Sequence, residues 1–363
     1  MKKLLNFFIT IFILLPLYSQ IDTISLNTIG VQGKVKSISE FTYYAVDSIG
    51  FIAKNKISDA YNKRNKDALF AYETQSRQTS FIYEYAPNGN MLKNTVLWDI
   101  GLPYETFTFS YNPDMTISTS KRQILFRDGT LIFESKYNYG TNGKLSNIKT
   151  YNNTSLFESK TYSYNEELDL VDEKEIDKDG NIKYRNNYSY KNNHLFKEYK
   201  YSDESFSSEK IYYFEENKLI KTQTSFSPDL KFESNYKYDK SGNITTSNEF
   251  RNGILLSEVI NEYDSLNNIV KSRSFRDNVL KVETSYIYNS GVLREKLIKT
   301  DGGFEQYFYN NGLLQKYIVK KDVSENIFEY EYKIDKKNNW VQIVEYKNRT
   351  PIKARYRTIK YYN

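Results

Sequence analysis

The chain has no cysteine and a single histidine among its 363 residues. The first absence excludes disulfides, thiol nucleophiles and cysteine-ligated metals. The second leaves too few parts for a zinc site or a nucleophile–imidazole pair. His194 lies in Lys191-Asn192-Asn193-His194-Leu195, where it reads as a solvated turn residue. No glycine-rich loop opens a helical pattern, so a phosphate cradle is excluded and no cofactor is expected. Charge of one sign is also scarce. The formal net charge is +6, too weak over this length to select nucleic acid or an anionic membrane surface. The one long apolar run, Leu4–Leu17, falls short of the roughly 20 residues that span a bilayer. With Lys2 and Lys3 before it and Leu17-Tyr18-Ser19 after it, residues 1–19 read as a secretory signal peptide cut before Gln20.

Tyrosine is abundant, at 35 residues, and its placement is periodic. The second aromatic of successive Tyr-x-Tyr pairs falls at Tyr85, Tyr111, Tyr139, Tyr164, Tyr190, Phe214, Tyr238, Tyr263, Tyr288, Tyr309 and Tyr332. The intervals run from 21 to 28 residues, which is the signature of a repeat array. Each pair precedes a turn cluster and an aliphatic residue, as in Asn142-Gly143-Lys144-Leu145 and Asn311-Gly312-Leu313. Asn and Gly accept the positive φ that hairpin turns demand. Apolar residues recur at even spacing between the turns, for example Phe81, Tyr83 and Tyr85, which is strand periodicity. The fold class is therefore all-β: an antiparallel hairpin array of about 25 residues per repeat. So many strands in one sheet twist and curl, so the expectation is a long, twisted or curled band with terminal caps.

The run Tyr238-Asp239-Lys240-Ser241-Gly242-Asn243-Ile244 and its echo Tyr263-Asp264-Ser265-Leu266-Asn267-Asn268-Ile269 resemble the YD repeats of the RHS type. The Asn-Gly links are also similar to MORN-like repeats of some bacterial antitoxin-like proteins. The resemblance covers about residues 81–345. In large RHS toxins such repeats wind into a hollow shell around a toxic C-terminal domain, so the resemblance implies an architecture rather than an activity. The proline- and aspartate-rich processing motif of those toxins is missing from this sequence, which speaks against a toxin.

In chain order, residues 20–80 divide into cap strands and an irregular insertion at about 46–78, residues 81–333 form the repeats, and 334–363 close the array. Arg355-Tyr356-Arg357-Thr358-Ile359-Lys360-Tyr361 reads as an edge strand whose charges block pairing with other chains. The acidic stretch Glu166–Asp179 contains Asp177-Lys178-Asp179-Gly180-Asn181, which reads as an Asp-Gly hairpin turn better than as a calcium loop. The carboxylates are expected on solvated faces and in turns, with no spacing that suggests paired-acid catalysis.

The expected function is a non-catalytic exported binding or scaffold module of the cell envelope, its address periplasm, cell surface or medium. Its partner is a protein or a glycan, with no nucleic acid and no membrane span after signal cleavage. Rings that stack cross-strand would stabilise the sheet, and a concave tyrosine-lined face would also stack on sugars or peptides. Tyr188, Tyr190, Tyr236, Tyr238, Tyr286, Tyr288, Trp98 and Trp340 are the candidate ligand-binding residues, and no metal or catalytic residue is expected. The alternative function is a toxin-related carrier or immunity-like module. A transmembrane barrel fits less well, because Ser, Thr and Lys fill the strands.

Overall fold

The structure, a computed structural model, describes residues 31–44, 80–97, 103–126 and 129–363. The expected signal peptide at 1–19, the expected insertion at 46–78 and Trp98 lie outside the described residues. Among the described residues twenty-four antiparallel strands form one sheet, running from β1 (Val35–Tyr44), β2 (Ser80–Tyr85) and β3 (Met91–Leu97) to β23 (Trp340–Lys347) and β24 (Thr350–Tyr361).

Two kinds of turn alternate along much of the chain. Two-residue turns such as Asn192-Asn193, Asn252-Gly253, Asp277-Asn278 and Asn311-Gly312 place both residues at positive φ, the geometry that matches the right-handed strand twist. Five-residue turns follow other Tyr-x-Tyr pairs, such as Tyr236/Tyr238 and Tyr83/Tyr85. Where such a turn opens on aspartate, the aspartate caps its own loop: Asp239 Oδ1 accepts from Asn243 N at 2.9 Å, while Asn243 Nδ2 donates to Asp239 Oδ2 at 2.9 Å. Asp264 with Asn268 repeats this arrangement, as does Asp177 with Asn181. The Asp177 carboxylate is thereby taken up by the turn, in line with the hairpin reading of that loop.

The register slips by one residue beside most turns of both kinds, as between Lys237 and Tyr238 at a five-residue turn and between Glu249 and Phe250 at a two-residue one. Such bulges bend the strand and sharpen its twist. Repeated from hairpin to hairpin, they curve the sheet.

The sheet is closed. β1 pairs with β2 on one side and with β24 on the other, from Val35↔Tyr361 to Tyr44↔Lys353. This corrects two expectations. The band does not remain an open curled sheet, and the Arg355–Tyr361 stretch is not a free edge. Arg357 is buried and donates from Nη2 to Glu40 Oε2 at 2.8 Å across the β24–β1 seam. The charges that suggested edge protection serve closure instead. At about 4.8 Å per strand the ring measures roughly 115 Å around, wide enough for an aqueous interior.

One wall of the sheet carries both members of the Tyr-x-Tyr pairs, and most buried side chains fall on it: Tyr83, Tyr85, Phe109, Ser120, Glu158, Lys160, Glu175, Thr222 and Thr284. This is the inner wall. Thr95, Val344 and Ala354 are buried on the opposite face, all within two strands of the seam. The apolar core also sits at the seam, built from Val31, Val35, Ile38, Tyr83, Tyr85, Met91 and Phe109. The outer wall carries ion pairs, among them Lys197–Glu209, Lys221–Glu233 and Lys271–Glu283. A barrel that spans a bilayer has an apolar outer band there. Among the described residues no helix is long and apolar enough to cross a membrane.

The seam is locked by Asn339, only 2% exposed. Its Oδ1 accepts from Gln32 N at 2.7 Å, and its Nδ2 donates to Gln32 O at 2.9 Å and Tyr361 Oη at 2.7 Å. At about 1 kcal/mol per hydrogen bond, Asn339→Ala is expected to cost about 3 kcal/mol. The equivalent change at the exposed turn, Asn243→Ala, is expected to cost about 1 kcal/mol. Urea unfolding midpoints of the two variants measure the difference.

Candidate functional site

The inner wall is assembled from two sets of tyrosines with different duties. The second tyrosine of a pair reaches back to the preceding repeat and donates its hydroxyl to a backbone carbonyl. The bonds run Tyr111 to Met91, Tyr139 to Ile117, Tyr164 to Leu145, Tyr190 to Leu170, Tyr238 to Leu219, Tyr263 to Ile244 and Tyr332 to Leu314, at 2.6 to 3.0 Å. Each acceptor is the aliphatic residue beside the bulge, where the ladder is disrupted, so the hydroxyl gives that carbonyl a partner. Phe214 stands in one of these positions without a hydroxyl, and His194 stacks on its ring with centroids 4.5 Å apart. His194 Nε2 lies 3.1 Å from Asn217 Oδ1, in keeping with its place at a turn.

The first tyrosine of a pair, with its neighbours on the same wall, meets polar groups of the interior. Tyr188 and Tyr184 both donate to Glu173, at 3.3 and 3.2 Å. Tyr212 donates to Glu198 at 3.1 Å, and Tyr137 lies 3.1 Å from Ser120 Oγ. Burial, followed by the nearby carboxylates, raises the phenol pKa of Tyr162, Tyr184, Tyr188 and Tyr212 above the ordinary value.

These contacts lie in a charged sector formed by β8 (Ser155–Tyr164), β9 (Leu170–Asp177) and β10 (Ile182–Lys191). Strand alternation sends Asp172 outward to Arg185, at 2.6 Å, and Glu173 and Glu175 inward. Lys160 Nζ is 3.0 Å from Glu175, and Lys183 Nζ bridges Glu158 and Glu175 at 3.2 Å each. Glu158 and Lys160 are 5% and 2% exposed. Burial and then the neighbouring Glu175 raise the Glu158 pKa, against the pull of Lys183 and Lys160. This corrects the expectation that the carboxylates occupy solvated faces and turns. A one-in-two pattern such as Asp172-Glu173-Lys174-Glu175 carries acids on both faces, and composition gives no clue to which face is covered.

A second sector is aromatic. Tyr307, Tyr317 and Phe328 come from adjacent strands β20 (Gly303–Asn310), β21 (Leu313–Lys321) and β22 (Ser324–Ile334). Their centroids are 5.4 and 4.4 Å apart and their planes 11° and 3° from parallel. Lys347 caps the Phe328 end at 5.8 Å, while Lys296 lies 5.9 Å from both Tyr307 and Tyr286. Within this row the ring faces meet one another or a lysine.

The candidate residues therefore separate. Tyr190 and Tyr238 spend their hydroxyls on backbone carbonyls, and Lys218 sits 5.5 Å over the Tyr238 ring. Tyr188 is tied to Glu173. Tyr286 and Tyr288 stack at 6.5 Å. Tyr236 and Tyr286 are half-buried on the same wall. Trp340 lies under Arg357, with the guanidinium carbon 3.6 Å from the ring centroid, so its face is taken by the seam. Glu173 and Glu175 belong to the acidic stretch that the sequence marks, while Glu158, Lys160 and Lys183 carry no such signal. A cavity of about 520 Å³ lies apart from all of the candidates, lined by Asn310, Asn311, Leu313, Tyr330, Lys333 and Gln342 among others. Among the described residues no group of three or more His, Asp and Glu is placed to hold a metal.

No family model matches the chain, and no curated protein matches it. Among solved structures it is similar to a chain of TcdB2–TccC3 with Cdc42, at 13% identity and a TM-score of 0.40, over 75% of this chain and 17% of that one. It is also similar to a chain of TcdB2–TccC3-TEV, at 14% identity and a TM-score of 0.27, over 84% of this chain and 22% of that one. A porin-like protein from Bacteroides uniformis is similar at 11% identity and a TM-score of 0.27, over 70% of this chain and 100% of that one. The chain thus spans less than a quarter of the TcdB2–TccC3 chains. Superpositions this loose carry no functional argument.

The tyrosine wall has a pH signature. Burial is the first cause that raises the Tyr83 phenol to about 12. The ladder phenols Tyr139, Tyr164 and Tyr263 shift in the same direction. A folded-state pKa above the unfolded value of about 10 means this stability is complete below pH 10 and is lost as pH climbs through the folded values. Tyrosinate absorbance is expected to lag the free phenol and then rise together with loss of the β-sheet circular dichroism signal. At neutral pH, Tyr263→Phe is expected to cost about 1 kcal/mol, read from urea unfolding.

Proposed function

We propose that the protein is a non-catalytic, exported binding or scaffold module of the cell envelope that takes its ligand on the inner wall, a glycan being the favoured ligand. The supporting observation is the contrast between the two walls. The outer one carries charged pairs, among them Lys197–Glu209, Lys221–Glu233 and Lys271–Glu283. The inner one concentrates rings, hydroxyls and paired charges around a wide interior. Tyr236 and Tyr286 are the residues of choice for contact: both are half-buried on this wall, Tyr236 beside the ladder tyrosine Tyr238 and Tyr286 stacked on Tyr288. Amphipathic phenols of this kind suit polar ligands with apolar faces, sugars among them. Envelope placement rests on the leader at residues 1–19. The absence of catalysis rests on the chemistry at hand: Lys160 and Lys183 neutralise Glu158 and Glu175, and the phenols are held protonated.

The test is a pull-down with residues 20–363 against solubilised envelope and isolated cell-wall glycan. Retention on glycan that free sugar competes, and that falls at least tenfold in the Tyr236→Ala/Tyr286→Ala variant, is the expected result. Retention of a single protein band, unaffected by that variant, would replace the glycan with a protein partner and favour an immunity-like role. A glycan hydrolysis activity abolished by Glu158→Gln or Glu175→Gln would overturn the non-catalytic reading.

A further inference from the structure

The ring has one strand whose delivery differs from that of all the others. Between β2 and β24 every pair of successive strands is joined by two to five residues, whereas 35 residues separate Tyr44 at the end of β1 from Ser80 at the start of β2. Yet β1 is the strand on which closure depends. It makes nine register pairs with β24 and four with β2. It supplies Ile38, at 0% exposure, and Val35, at 1%, to the apolar core. Glu40 receives the buried Arg357, and Gln32, just ahead of the strand, is held at both backbone polar groups by Asn339.

We infer that β1 is an exchangeable closing strand, and that the slot between β24 and β2 is an interaction surface for β1 of a second copy of this chain. With its own β1 withdrawn, the slot offers the edges of β2 and β24 and a seat for Val35 and Ile38, the requirements for strand addition to a sheet. A second copy is the occupant these features select, because only β1 carries this register, these apolar residues and the Glu40 partner for Arg357. Exchange between copies makes the same contacts as closure within one copy, so its contact energy is nearly neutral. The balance is then set by chain concentration against the effective concentration of the tethered strand.

The absence of cysteine makes the test direct. Ser39 and Thr358 are register partners across the β1–β24 seam. Chains of residues 20–363 carrying either Ser39→Cys or Thr358→Cys are mixed, co-refolded at about 0.5 mM, near the millimolar range of tethered segments, and oxidised. The expected product is a disulfide-linked heterodimer at least tenfold more abundant than either homodimer, and a dimer peak by light scattering for the unsubstituted chain refolded the same way. Within one chain, the Ser39→Cys/Thr358→Cys double variant should form the internal bond, which establishes that the pair can be joined. Heterodimer no more abundant than the homodimers would overturn the inference. Should the double variant fail to form its bond, the mass decides: an unsubstituted chain that stays monomeric after refolding at that concentration also overturns it.

Discussion

The hydrogen bond from a tyrosine hydroxyl to the carbonyl beside the preceding bulge is the constraint on which the rest of this structure depends. A bulge beside a turn bends the sheet, but it also breaks the regular ladder. A carbonyl left without a partner on a half-buried wall costs about as much as the bond it lacks. Tyr263 answers that cost at Ile244, and Tyr238, Tyr190 and Tyr139 do so at their own bulges. The Tyr-Asp-x-x-Gly-Asn-Ile run is therefore one device. Tyrosine reaches back, aspartate and asparagine cap the turn, glycine takes the positive φ, and the aliphatic residue offers its carbonyl to the next tyrosine.

Curvature alone does not close a ring. The ends must also meet in register, and here a strand distant in sequence from both of its neighbours joins them. The concentration of apolar core at Val35, Ile38, Tyr83 and Tyr85 fits that role. Elsewhere each strand is held by two hairpin neighbours, as expected of a repeat array whose stability is nearly a sum over adjacent units. At the seam there is no short turn to enforce pairing, so packing, the Glu40–Arg357 ion pair and the Asn339 clamp take over.

The interior is polar as well as aromatic, and its charges are compensated locally. Lys160 and Lys183 lie among Glu158 and Glu175, and removing one member of such a buried set strands a charge at a cost of several kcal/mol. The ion pairs and ring contacts of this wall link strands that are neighbours or next neighbours in the ring, as with Lys183 to Glu158 and Tyr317 to Phe328. Cohesion thus runs around the wall.

The sequence by itself determined the strands, the turns and the repeat, because each depends on local chemistry: positive φ at Asn252-Gly253, a cap at Asp239, period-two alternation through Phe81, Tyr83 and Tyr85. It also determined that Tyr188/Tyr190, Tyr236/Tyr238 and Tyr286/Tyr288 share one face. Only the tertiary structure decided that the two ends meet, since the pairing of Ile38 with Ile359 and of Glu40 with Arg357 joins residues more than 300 positions apart and leaves no periodic trace. The same closure turned Arg355–Tyr361 from an apparent edge into a seam and made Glu158 and Glu175 interior rather than solvated. Alternation assigns a residue to one of two faces, and only curvature decides which of them becomes the inside.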